Sequence, residues 1–311
     1  MTCPMHRRGF LKATLGGAAA MSLAQWAPTG ALAREKPASL TATRLADRVT
    51  LISGAGANVV AVSGKDEALL VDGGLERHSR DLLKRALQET GAKRVTTLIN
   101  THWHPEQTGS NERLGRTGAR IIAHENTKLW LGYPNPVPLT ESTYGPLPPR
   151  ALPNDTTYDK GSLDLAGNAV EYGYLLQAHT DGDLYVKLPG ANVLVAGGVV
   201  SSDGWPIIDY KTGGWIGGLV NGQRALLQVT DAETRIVPAN GPVIDRAELE
   251  AQSKMYATIQ DRLQKLLRKG LGPDEVLATH PTQDFKPEWG DPTNFVLLAF
   301  KSLWGHLAPD A

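Results

Sequence analysis

Cysteine is almost absent: the 311-residue chain holds one, Cys3. A single thiol excludes an intramolecular disulfide and any metal site built on several thiolates. An excess of either charge is missing too. Lys and Arg number 32, as do Asp and Glu, so the formal net charge is zero. Nucleic-acid binders carry a basic excess, so the balance argues against that class. Neither charged residues at 21% nor hydrophobic ones at 41% depart from the range of a folded protein, which excludes wholesale disorder. What remains is a soluble globular chain. It is rich in turns, with 33 Gly and 20 Pro, and long enough to bury a core without staples.

Residues 1–33 read as an address. His6 through Lys12 spell His-Arg-Arg-Gly-Phe-Leu-Lys, a mild apolar stretch follows over 18–24, and Ala31-Leu32-Ala33 offers small residues at the positions a signal peptidase needs. The Arg7-Arg8 pair resembles a twin-arginine export signal. The alternatives are ordinary Sec export and a transmembrane anchor; the apolar run falls well short of the roughly 18 residues an anchor requires. The reading implies engagement with the twin-arginine machinery, cleavage without a remaining anchor, and a periplasmic or secreted product. Cleavage after Ala33 leaves 29 basic against 32 acidic residues, net −3, and no thiol.

Residues 34–311 are expected to form one domain. Apolar segments at 49–52, 58–62 and 68–71, punctuated by Gly54, Gly56 and Gly64, predict a three-stranded meander. Leu82, Leu83, Ala86 and Leu87 share a helical face over 77–90, stopped by Gly91. A buried strand at 95–99, a short helix near 110–116 and a strand at 119–123 follow. Six prolines (134, 136, 138, 146, 148, 149) make 132–150 a stiff excursion, either a lid or an interdomain linker. Strands are expected at 161–165, 168–177, 183–188, 192–196 and 234–237, and helices near 217–229, 246–269 and 293–305. Asp245 should cap the second of these helices, with Glu248 three positions on. Residues 271–311 form a helical C-terminal extension whose apolar run 295–304 packs on the domain or makes a homodimer contact.

Seven histidines lie beyond residue 33, at 78, 102, 104, 124, 179, 280 and 306. The informative segment is Asn100-Thr-His102-Trp-His104-Pro-Glu106-Gln107, directly after a buried strand. Two imidazoles two residues apart on extended chain point the same way and make a plausible half of a zinc site; the alternative is a pair of exposed loop histidines. His78, His280 and His306 read as surface or packing residues, and so does His124, with a metal-ligand role as the lesser option.

The segment resembles the signature of the metallo-β-lactamase superfamily, His-x-His-x-Asp-His. Further matches run in the family's order: Leu70-Val-Asp72-Gly-Gly74, Ala123-His124-Glu125, Ala178-His179-Thr180-Asp-Gly182-Asp183 and Ile236-Val-Pro-Ala-Asn240-Gly-Pro242. The resemblance implies an α/β fold, an αββα four-layer sandwich with its metal site on loops at one sheet edge. It implies His102, His104 and His179 as ligands of a first metal, and Asp72 as a support that orients the signature loop from beneath.

The resemblance implies that the second metal position has lost its ligands, save a carboxylate one methylene longer at Glu106. Glu106 stands for the signature Asp, Gln107 for the signature His, Gly198 for the bridging Asp and Asn240 for the last His. Asp203 and Asp209, just past Gly198, are the carboxylates near enough in sequence to substitute. The expectation is one zinc ion per chain, with an open position that lowers the pKa of bound water to about 7. Glu106 would act as general base, and Gln107 and Asn240 would donate hydrogen bonds to a substrate carbonyl or oxyanion. Trp205, Trp215 and Tyr144 are candidates for pocket walls. The reaction class is hydrolysis of an ester, lactone, amide or related acyl bond in a small-molecule substrate. The competing reading is a non-catalytic descendant that binds a small molecule or a protein on the same scaffold.

Overall fold

The computed structural model describes residues 39–307, so the export signal expected over residues 1–33 lies outside the described residues. The chain begins with four antiparallel strands, β1 (Thr41–Ala46), β2 (Val49–Ser53), β3 (Val59–Ser63) and β4 (Glu67–Val71). Helix α1 (Ser79–Thr90) crosses to β5 (Arg94–Ile99), parallel to β4. It buries Leu82 and Ala86 and stops at Gly91, whose φ of 67° is the left-handed turn glycine permits. Two short helices, α2 (Pro105–Thr108) and α3 (Asn111–Gly115), lead to β6 (Arg120–His124), parallel to β5. Helix α4 (Glu125–Leu131) follows without a gap.

The proline-rich excursion carries a two-stranded hairpin of its own, β7 (Asn135–Pro136) and β8 (Thr143–Tyr144). It is tied back to the domain: Leu147 N–H donates to Leu131 O at 2.8 Å, and the Tyr144 and Thr108 hydroxyls lie 2.9 Å apart. The chain then enters β9 (Asp155–Thr157), which pairs with β6 and completes the seven-stranded sheet. A segment that leaves and re-enters one sheet is not an interdomain linker.

The second sheet has five strands: β10 (Lys160–Leu165), β11 (Asn168–Leu175), β12 (Asp183–Leu188), β13 (Val193–Gly197) and β14 (Arg235–Pro238). All pairings are antiparallel except β13 with β14, which the crossover helix α5 (Ile216–Gln228) joins. The chain ends in α6 (Arg246–Arg268), α7 (Pro273–Ala278) and α8 (Thr293–Leu307). The Asp245 carboxylate caps α6 by accepting from Glu248 N–H at 2.8 Å.

Three apolar clusters separate four layers. Ile52, Leu70, Leu82 and Ile121 seal α1 and α3 onto the first sheet. Val60, Ile99, Val186 and Val237 fill the space between the sheets. Leu194, Ile236, Tyr256 and Phe300 join the second sheet to α5, α6 and α8. The order is helix, sheet, sheet, helix: an αββα sandwich. Phe295, Phe300 and Leu303 of the C-terminal apolar run are buried in the third cluster, so that run packs on its own domain.

The sequence expectation lacks several short elements, among them β7, β8 and β9. Strand β1 was not anticipated, because Thr41–Ala46 buries only Leu45 and shows no apolar alternation. Helices α4 and α7 are two turns or less, too short to display a 3.6-residue period. The helix expected near 110–116 is α3; ahead of it the chain adds α2, beginning at Pro105, whose fixed φ suits a first helical position.

Candidate metal centre

Every loop of the candidate site leaves its sheet at the same end. Asp72 follows β4, His102 and His104 follow β5, His179 lies between β11 and β12, Gly198 follows β13 and Asn240 follows β14. The C-terminal ends of parallel strands are where open α/β sheets place their sites.

His102, His104 and His179 come together there, all buried, with one ring nitrogen from each within 4.8 Å of the others. Among the described residues no other group of three or more His, Cys, Asp or Glu side chains converges in this way. Each ring has its other nitrogen engaged. His102 Nδ1 lies 3.0 Å from Thr101 Oγ1, His104 Nε2 lies 3.2 Å from Asp209 Oδ2, and His179 Nδ1 lies 2.6 Å from Ile207 O. A carbonyl and a carboxylate only accept, so His179 Nδ1 and His104 Nε2 carry protons. Thr101 donates its hydroxyl to Asp72 at 2.9–3.0 Å and is left to accept from His102 Nδ1. The free lone pairs are therefore on His102 Nε2, His104 Nδ1 and His179 Nε2.

Two of those lone pairs, on His104 Nδ1 and His179 Nε2, face each other across 3.2 Å. Only a cation or proton shared between them reconciles that approach. Three imidazoles fixed in one tautomer by outer hydrogen bonds, with bare nitrogens converging, are the donor set of a divalent transition metal. The residues fit the group.

The electrostatics agree. Burial holds His102 well below the usual imidazole range, helped by repulsion from His179 and His104. Burial and then His104 lower His179 to about 3. Both rings are thus neutral, as ligands must be. Burial pushes Asp72 up to about 7 against the hydrogen bonds from Thr101 N–H and Oγ1–H. Asp72 also has a φ of 66°, a left-handed backbone that Asp tolerates better than most residues. It does not reach the ligand nitrogens; it grips Thr101 and so holds the histidine loop from below.

Asp209 takes a role that sequence reasoning did not assign to it. Rather than offering its carboxylate to a second metal, it turns toward His104 and is fixed there by Thr212 Oγ1–H at 2.6 Å. Thr212 in turn accepts from Trp103 Nε1–H at 3.1 Å. Trp103 is 1% exposed, so the residue between the two histidines is a buried clamp. Sequence reasoning missed this role because 105 positions separate Asp209 from His104.

The opposite side of the cleft is different. A cavity of about 220 Å³ adjoins the histidines, with Glu106, Gln107, Asp203, Trp205 and Asn240 in its walls. Gly198 fills the bridging position, and a Cβ built there falls 2.3–2.7 Å from ring atoms of His179. The imidazole occupies the space a side chain would need.

Asn240 departs from its expected role as a donor. The amide orientation that satisfies both atoms places its nitrogen 3.2 Å from Ala239 O and from Gly56 O. Both N–H groups are then used by backbone carbonyls, and Asn240 has only an acceptor left to offer. Gln107 is 2% exposed and its side chain makes no hydrogen bond among the described residues, so its amide is available to the cavity.

Of the proposed walls, Trp205 lines the cavity. It stacks on Phe295 of α8 with ring centroids 5.0 Å apart and meets Trp289 edge-on at 5.5 Å. Its Nε1–H donates to Gly290 O at 3.2 Å. Trp215 instead stacks on His306 at 4.3 Å, and Tyr144 turns to Thr108; neither lines the cavity. His124 stacks on Tyr174 at 4.0 Å, away from the histidine trio. Asp183 accepts from Thr180 N–H and Oγ1–H, a turn cap that steadies the segment after His179.

Comparison with solved structures finds the same architecture. A metallo-beta-lactamase from Pontibacter korlensis superposes with a TM-score of 0.57 at 19% identity, covering 70% of this chain and 99% of that one. The DIM-1 metallo-beta-lactamase gives 0.56 at 19% identity, covering 70% and 97%. At such identities the likeness speaks for the fold. No curated protein sequence is significantly similar. The sequence model of the metallo-beta-lactamase superfamily matches residues 53–248, well over half of the chain and all the loops that carry the histidine centre. With the four layers, the order of the motifs and the convergent imidazoles already in place, that match settles the family: this chain belongs to the metallo-beta-lactamase superfamily.

Proposed function

We propose that the chain is an exported hydrolase with one zinc ion, acting on an ester, lactone, amide or related acyl bond. The observation that carries this reading is the set of three bare imidazole nitrogens, each fixed in tautomer from behind, beside a cavity that holds the Glu106 carboxylate. When bound, zinc supplies Lewis acidity and makes water a competent nucleophile near neutral pH.

The chain's own residues supply the rest. Asp72, Asp209 and the Ile207 carbonyl hold the three rings in place, so little reorganisation accompanies the reaction. Glu106 accepts the proton of the attacking water. The water oxygen adds to the acyl carbon, the bond to the leaving oxygen or nitrogen breaks, and Glu106 returns the proton to that atom. Gln107 Nε2–H stabilises negative charge on the carbonyl oxygen. Asn240 presents its Oδ1 and orients a substrate N–H or O–H.

Arg7-Arg8 and the Ala31-Leu32-Ala33 site support export by the twin-arginine route to the periplasm or beyond, with residues 34–311 as the mature single domain. A reporter fused to residues 1–35 tests it; export unchanged by Arg7→Lys with Arg8→Lys excludes that route. The hydrolase reading is tested by metal analysis of protein purified without chelator, alongside turnover of ester, lactone and amide panels. One zinc per chain with turnover on one class is the expected result. Failure to take up zinc, or zinc uptake without turnover on any panel, favours the binding descendant.

A further inference from the structure

A second and larger recess lies beside the histidine cavity. It measures about 870 Å³ and opens between the facing edges of the two sheets, where β1 and β14 run past each other. Leu45, Leu51, Pro242 and Val243 make its apolar floor. Gly56 and Asn240 belong to the walls of both recesses, so one leads into the other.

Their charges differ. The histidine cavity has Glu106 and Asp203 in its walls and no Lys or Arg. The wedge has Arg44 and Arg235 and no Asp or Glu. Both arginines are exposed at its mouth, and among the described residues neither guanidinium meets a carboxylate. Arg235 reaches from β14 across to β1, where Nη1–H donates to Leu45 O, next to Arg44. A guanidinium held by one donor keeps its other donors for a planar anion.

We propose that this wedge is the binding site for the anionic end of the substrate. The substrate class is an elongated molecule with its acyl bond at the histidine centre, an apolar middle, and a carboxylate or other planar anion at the arginines. The reacting end is uncharged, because Glu106 and Asp203 line the histidine cavity with no Lys or Arg beside them and disfavour an anion there. This assignment rests on the hydrolase reading for the position of the acyl bond, but the wedge's preference for an anion does not.

The test is therefore a binding experiment. 4-Phenylbutyrate and its neutral amide are titrated calorimetrically into zinc-loaded and chelator-treated protein. The carboxylate should bind about tenfold tighter than the amide in both forms, the size expected of a charge-assisted hydrogen bond. Arg44→Ala with Arg235→Ala should erase the preference with zinc content unchanged, and Arg235→Lys should restore part of it. Arg44 makes no side-chain hydrogen bond among the described residues, so Arg44→Ala alone gives a folded variant in which the preference shrinks severalfold. The proposal is overturned if wild-type protein binds acid and amide equally, if the preference survives the double substitution, or if it disappears on zinc removal, which would place the carboxylate on the metal. Loss of catalysis with the anion preference intact would sink the hydrolase reading and leave the wedge assignment standing.

Discussion

The two sides of the cleft are built to different standards. On one side three imidazoles are each locked by a partner behind them, and the locks are themselves locked: Thr101 by Asp72, Asp209 by Thr212, Thr212 by Trp103. On the other side Glu106, Gln107 and Asn240 line the cavity, Gly198 contributes no side chain, and no group converges. A metal site is more than its ligands. Where braced rings converge they form a donor set; across the cleft the side chains form only a polar wall.

The most severe way to break the comparison is His179→Ala. It removes one of three ligands and should abolish both metal content and turnover, with activity down by at least about a thousandfold; elemental analysis and rate assays report both. Gly198→Asp probes the opposite side by reinstating a carboxylate at the bridging position. The clash of its Cβ with His179 predicts that metal per chain falls instead of doubling. Gain of a second ion would show that His179 can yield.

Glu106→Gln separates ligand from base. Metal content should stay constant while kcat drops by roughly 10²–10⁴, the usual worth of a positioned proton acceptor. Metal loss in this variant would make Glu106 a ligand. Asp209→Asn tests the outer lock on His104 and should weaken metal affinity by about 10–100-fold while sparing the fold, measured by competition with a chromophoric chelator.

The smallest effect expected is in acid. His102 and His179 are held below the ordinary imidazole value of 6.5, His179 to about 3. Lowered values keep the rings deprotonated as pH falls, so protons compete for them only well below that value. Metal should stay bound as pH drops through 6.5 and leave nearer 3; release centred at 6.5 would contradict the burial of the rings.

Much of the scaffold was legible in the sequence because many of its strands are apolar runs, and its long helices show a 3.6-residue stripe, closed at Gly91 in α1 and opened by Asp245 in α6. The short pieces, β1, α4 and α7, carry too few residues for any period. At the site, His102 and His104 stood out by spacing, and His179 and Asp72 by their place in a familiar order of motifs. Asp209 did not stand out, since its function depends on a hydrogen bond across 105 positions. Asn240 gave a side chain but not an orientation: whether an amide donates or accepts depends on which backbone carbonyls fold against it, here those of Ala239 and Gly56.

Trp205 stands on aromatic rings contributed by residues 289 and 295, whereas the stretch shared with the superfamily ends at 248. One face of the histidine cavity is thus propped from outside the matched stretch. Changes confined to the C-terminal helices can tilt that indole and resize the cavity without disturbing a single imidazole.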